Sequence, residues 1–134
     1  MNDSEKKQLV SELAEGETPE YAGRAKFKVS AGVVHIRFCS TNSSNSKQYK
    51  FNINKNTLSA DFELWICGSK ERWYLLPMDL IREIHQHPDA YDDNQHPGLT
   101  VVSVYSDSDE VMFARVGVRK NIREYYLANF EKLA

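Results

Sequence analysis

The chain has six glycines in 134 residues, and they stand singly, so it lacks the Gly-rich loop that cradles phosphate through backbone N–H groups. It has two cysteines, Cys39 and Cys67. They are too few and too far apart for a zinc knuckle, and each ends an apolar, strand-like run where a free thiol acts as a small hydrophobe; both are read as reduced core residues. No apolar run approaches the roughly 20 residues of a membrane span. The stretch Met1–Gln8 leads into an amphipathic segment rather than an apolar one, so no signal peptide and no membrane partner are expected, and a cytoplasmic setting follows. Gly-x-Ser-x-Gly, His-Glu-x-x-His and Cys-x-x-Cys are all missing, which removes the common hydrolase, zinc-protease and dithiol signatures.

The absence with most content is of acid. Between Ala22 and Asn56 there are seven basic residues (Arg24, Lys26, Lys28, Arg37, Lys47, Lys50 and Lys55) and no Asp or Glu, although the whole chain carries a net charge of -2. Residues 1–21 and 57–134 are both net acidic. Such segregation points to a polyanionic partner, nucleic acid above all, and a neutral average charge hides it. A row of lysines on a solvated strand face is the simpler alternative reading of the same charges.

What is present is the material of one ordinary domain. With 134 residues, 41% apolar and 27% charged, the chain is read as a single domain, 1–134, able to bury a core without metal or disulfide. Leu9, Val10, Leu13 and Ala14 share one face of a helix over about residues 3–15, with Gly16 as its stop. From Arg24 the period changes to two. Phe27 and Val29 alternate with Lys26 and Lys28, and after a turn at Ala31-Gly32 the residues Val34, Ile36 and Phe38 alternate with His35 and Arg37. A third alternating run sets Tyr49, Phe51 and Ile53 against Gln48, Lys50, Asn52 and Asn54. Phe62, Leu64 and Ile66 continue the sheet, Arg72–Leu76 returns, and Pro77 opens a helix over Met78–Gln86. Strands at Leu99–Tyr105 and Val111–Val116 follow. A final helix over about 121–133 is expected to bury Ile122, Tyr125, Tyr126, Phe130 and Leu133. The expected fold is α+β: a mostly antiparallel, twisted sheet of about five to seven strands with an N-terminal, a central and a C-terminal helix.

If the three strands from Lys26 to Asn54 share one sheet, their apolar sets all face the core. Lys26, Lys28, His35, Arg37, Lys50 and Asn52 then form one basic plate. Arg24, Lys47, Lys55, Asn42, Asn45 and Asn54 extend it, arginine offering a fork of donors and asparagine reaching phosphate or base edges. The aromatics of these strands point inward, so no stacking platform for single strands is expected and duplex DNA is the better fit.

Two other clusters invite chemistry. Asp61 and Glu63 flank an apolar position and could share a face that holds magnesium near phosphate, although such a pair is more often a solvated strand end. His85, His87, Asp89, Asp92, Asp93 and His96 crowd one loop but match no known metal spacing, and histidines complementing a helix C-terminus explain them more simply.

The runs Val33-Val34-His35-Ile36-Arg37-Phe38, Tyr49–Asn54, Ala60–Cys67 and Arg72-Trp73-Tyr74-Leu75-Leu76-Pro77 together resemble the core of the PD-(D/E)XK nuclease superfamily, of homing- and restriction-type members in particular. There a strand bearing Glu/Gln-x-Lys precedes an Asp-led aromatic strand and a strand closing in a Tyr-x-x-Pro-like run. The resemblance implies a restriction, modification or mobile-element system. This chain has His35 and Arg37 where that family places a metal-binding acid and a catalytic lysine, and an arginine cannot serve as a proton acceptor. The expectation is a DNA-binding domain with a degenerate catalytic motif and no cofactor. The alternatives are an active magnesium-dependent endonuclease and a protein-interaction or inhibitor module.

Overall fold

The computed structural model describes residues 1–40, 47–54, 58–91, 99–114 and 117–134. Helix α1 (Asp3–Leu13) begins at Asn2, whose side chain accepts from the Glu5 N–H while the Glu5 carboxylate receives the Asn2 N–H, a reciprocal capping box. It buries Leu9, Val10 and Leu13, the face the periodicity marks.

Strands β1 (Glu20–Tyr21), β2 (Lys26–Val29), β3 (Gly32–Cys39), β5 (Phe62–Cys67) and β6 (Trp73–Pro77) form one five-stranded sheet in the order β1-β2-β3-β5-β6. All its pairings are antiparallel except β3 with β5, which are parallel in the register His35↔Glu63 and Arg37↔Trp65. Strands β4 (Gln48–Asn54), β7 (Leu99–Tyr105), β8 (Glu110–Ala114) and β9 (Val118–Asn121) form a second, antiparallel sheet in the order β4-β7-β8-β9. Helix α2 (Met78–Gln86) follows β6 directly and buries Met78, Leu80, Ile81 and Ile84. The architecture is α+β, as the alternation of periods leads one to expect.

Two cores hold these layers. One lies on the α1 side of the five-stranded sheet, where Leu9, Val10 and Leu13 meet Phe27, Val29, Val34, Ile36, Leu64, Ile66 and Leu75. The other is shared by both sheets and α2: Tyr49, Phe51, Ile53, Val102 and Val104 face Trp65, Cys67, Tyr74 and Leu76, with Ile81 and Ile84 beside them. Phe51 stacks on Trp65 with ring centroids 4.9 Å apart, a contact worth about 0.5–1.5 kcal/mol beyond its buried area. The five-stranded sheet is thus covered on both sides, and β5 is buried along nearly its whole length.

Three expectations need correction. The strand Gln48–Asn54 does not join the Lys26–Cys39 hairpin; it pairs with β7 in the other sheet. Phe38 is not inward but 41% exposed. The long C-terminal helix is replaced by strand β9, a 3-10 turn at Arg123–Tyr125 and a short helix α3 (Phe130–Leu133) capped by Asn129. Many residues there are good helix formers, but the backbone finds partners elsewhere: Ile122 N–H donates to Asp109 O, and Leu127 N–H, at φ +51°, donates to Trp73 O, so tertiary hydrogen bonds override the propensity.

Candidate nucleic-acid interface

Pairing of β2 with β3 places Lys26 directly beside His35, and Arg37 follows on the same face two residues on. The parallel neighbour β5 then sets Glu63 beside His35. Four chemically active side chains therefore meet because three strands share a register. Lys26 Nζ reaches Ser59 Oγ at 3.1 Å. His35 Nδ1 is 2.6 Å from one Glu63 oxygen, and Arg37 Nε donates to the other at 2.8 Å, where Trp65 Nε1 also donates at 3.2 Å. Glu63 is wholly buried, while the His35 and Arg37 side chains are 12% and 15% exposed. A carboxylate only accepts, so the His35 proton in this contact lies on Nδ1. Arg37 Nη2 is buried with no hydrogen-bond partner among the described residues.

This arrangement differs from a solvated basic plate in two respects. Its half-buried part is neutralised, since Glu63 sits between His35 and Arg37. It is also smaller. Lys50 and Asn52 lie on the outward face of the four-stranded sheet, because Tyr49, Phe51 and Ile53 turn toward the shared core from the opposite side. Lys26, His35 and Arg37 instead share the side of the five-stranded sheet that carries Trp65 and Cys67, the side turned toward the shared core, so the two polar sets lie in different layers. Lys47 and Asn54 lie at the ends of that same run, and both have partners. Asn42, Asn45 and Lys55 lie outside the described residues.

What remains on the five-stranded sheet is a cationic lip. Lys28 and Arg24 are exposed and Lys26 is half-buried. None of the three forms an ion pair with a carboxylate among the described residues, in contrast to the later pairs Arg82–Asp79, Arg119–Glu110 and Lys120–Glu83. The edge strand β1 does bring Glu20 into register with Lys28. Ala25, at φ +51°, and Gly23, at φ +116°, turn the chain into β2 and place Arg24 at its mouth.

The carboxylates at the start of β5 are engaged by donors of the protein itself. Both oxygens of Glu63 are taken by three N–H donors, one of them a guanidinium. Asp61 Oδ2 accepts the Val33 N–H at 2.8 Å. No group of three or more His, Cys, Asp or Glu side chains poised for a metal occurs among the described residues. In the histidine loop, His85 Nδ1 bonds Thr100 Oγ1 at 2.9 Å and His87 Nδ1 accepts the Asp89 N–H at 3.1 Å; Asp92, Asp93 and His96 lie outside the described residues.

The burial of Glu63 was missed by the alternating reading, which took its side of β5 as open. A signal was present: Trp65 and Cys67 share that side, and a strand with large apolar residues on both faces is covered on both. Asp109, in the acidic turn between β7 and β8, has a structural partner that no sequence motif signals. It accepts from Tyr74 Oη at 2.5 Å, and burial together with this acceptor pushes the Tyr74 phenol well above its usual range.

No protein-family model and no curated protein matches the chain. A solved structure of MepB is similar over 78% of this chain and 81% of its own length, at 15% identity and a TM-score of 0.43, a likeness too slight to carry an argument.

Proposed function

We propose that the chain is a DNA-binding module without a catalytic metal of its own, engaging duplex backbone through the lip formed by Arg24, Lys26 and Lys28. The observation that carries this reading is the set of three cations on and just before strand β2, free of carboxylate ion pairs among the described residues and backed by an arginine with an unfilled donor. Glu63 fixes the Arg37 guanidinium through Nε, and an acceptor brought in by a ligand would satisfy Nη2, whose burial without a partner costs about 1–3 kcal/mol. Backbone contact of this kind carries little sequence information in itself. A place in a restriction, modification or mobile-element system rests on the resemblance of residues 33–77 to the PD-(D/E)XK core alone.

Fluorescence anisotropy with a duplex at several salt concentrations tests the reading and its location. Arg24→Ala/Lys28→Ala removes two exposed cations with little effect on folding, and should lower the slope of log K against log salt by about 2. Lys50→Ala, on the far side of the other sheet, should leave both affinity and slope as they are. Unchanged binding by the double variant would sink the proposal. Duplex cleavage in magnesium that chelator abolishes would replace it with the endonuclease reading.

A further inference from the structure

The two cysteines stand far apart in the sequence but side by side in the fold. Cys39 is the last residue of β3, Cys67 the last of β5, and the parallel ladder puts them in direct register. Neighbouring strands run about 4.8 Å apart, which falls within the Cα separations that a disulfide spans. In-register residues point to the same face, and both pack on the core shared by the two sheets. Each ends its strand, where the backbone has more room to draw the Cβ atoms together than it has mid-ladder. Both thiols are free.

We propose that Cys39 and Cys67 are a redox modification site, closing to a cross-strand disulfide when the protein meets a low-molecular-weight disulfide oxidant. The two thiols are unequal in a useful way. Cys39 is half-buried and its Sγ–H is held by Ser40 O at 3.2 Å, so it is the point of entry. Cys67 is buried, and its thiol is pushed up to about 12, chiefly by desolvation, so it does not react first. The Cys39 thiolate attacks one sulfur of oxidised glutathione, forming a mixed disulfide and releasing one glutathione thiolate. Cys67 then attacks Cys39 Sγ; its proton leaves with the second glutathione. The protein loses two protons and two electrons, and one oxidised glutathione becomes two reduced ones.

The consequence reaches the candidate interface. Arg37 lies two residues before Cys39 and Glu63 four before Cys67, so the bond would staple together the two strands that carry the Arg37–Glu63 pair. It would also tether the point where the chain leaves β3.

The experiment is incubation of the folded protein with oxidised glutathione, followed by non-reducing intact mass measurement and peptide mapping. The expected product is a monomer lighter by two hydrogens, with Cys39 and Cys67 in one linked peptide pair and a thermal midpoint raised by about 5 °C or more, reversed by dithiothreitol. Cys39→Ser should not react, and Cys67→Ser should stop at a glutathione adduct on Cys39. If Cys67→Ser fails to fold, mapping of the wild-type product decides. A wild-type protein that stops at the Cys39 adduct with Cys67 still free, or that links to a second copy through Cys39, overturns the proposal.

Discussion

Removal of Glu63 tests the strongest energetic feature of the molecule. Its carboxylate is wholly buried and accepts from His35 at 2.6 Å, Arg37 at 2.8 Å and Trp65 at 3.2 Å. In Glu63→Leu the side-chain volume is roughly kept, but a largely buried guanidinium and two ring N–H groups lose their acceptor. Breaking a buried ion pair from one side costs about 3–5 kcal/mol, because the orphaned charge remains. For a domain of this size each kcal/mol moves the thermal midpoint by about 3–4 °C, so a drop of roughly 10–20 °C is expected. Arg37→Met leaves the carboxylate with two of its three donors and should cost somewhat less. In the double variant Glu63→Leu/Arg37→Met no charge is stranded, only His35 and Trp65 lack a partner, and stability should recover to at least that of the worse single variant. Urea denaturation at neutral pH, with unchanged m-values, closes the cycle with an expected coupling of about 2 kcal/mol or more. Strictly additive costs, or a Glu63→Leu penalty below about 1 kcal/mol, would show that the pair is solvated and that the burial argument fails.

Two further outcomes follow from local geometry. Gly32 sits at φ +141°, and a Cβ there would lie 2.7 Å from Asp61 Oδ2, the acceptor of the Val33 N–H; Gly32→Ala should cost about 1–3 kcal/mol by denaturant titration, and a neutral result would refute the close approach. Tyr74→Phe removes the bond to Asp109 and should cost about 1–2 kcal/mol at neutral pH. Because burial raises the native phenol's pKa, the unfolded chain loses this proton first, near pH 10, and the folded chain keeps it. Stability from this group is therefore complete below about pH 10 and is lost as pH rises above it. The Tyr74→Phe curve should fall less steeply there than wild type, and parallel curves would contradict the assignment.

Local pattern alone was enough for most elements. The face of α1, the β2–β3 hairpin, the β5–β6 return and the helix after Pro77 are each dictated by a period of 3.6 or 2 and by the residues that bound them. The C-terminal region was not legible in this way. Ile122, Tyr125 and Tyr126 have helical spacing, but Val118–Asn121 gains a ladder with β8, and the Tyr126–Leu127 backbone is claimed by β6. Long-range hydrogen bonds overruled a weak local preference.

The charge segregation in residues 22–56, the α+β class and the inward sets of β2 and β4 are properties of the chain order, because side-chain alternation is fixed by the backbone within a strand. Which sheet a strand joins is not, since Tyr49, Phe51 and Ile53 can bury equally well against either side of a core. Tertiary structure alone sent β4 to the second sheet, divided the expected basic plate between two surfaces, and brought Glu63 beside His35 and Arg37, and Cys39 beside Cys67. Such pairings depend on strand order and register, and these are settled by the total burial of two sheets rather than by any one segment.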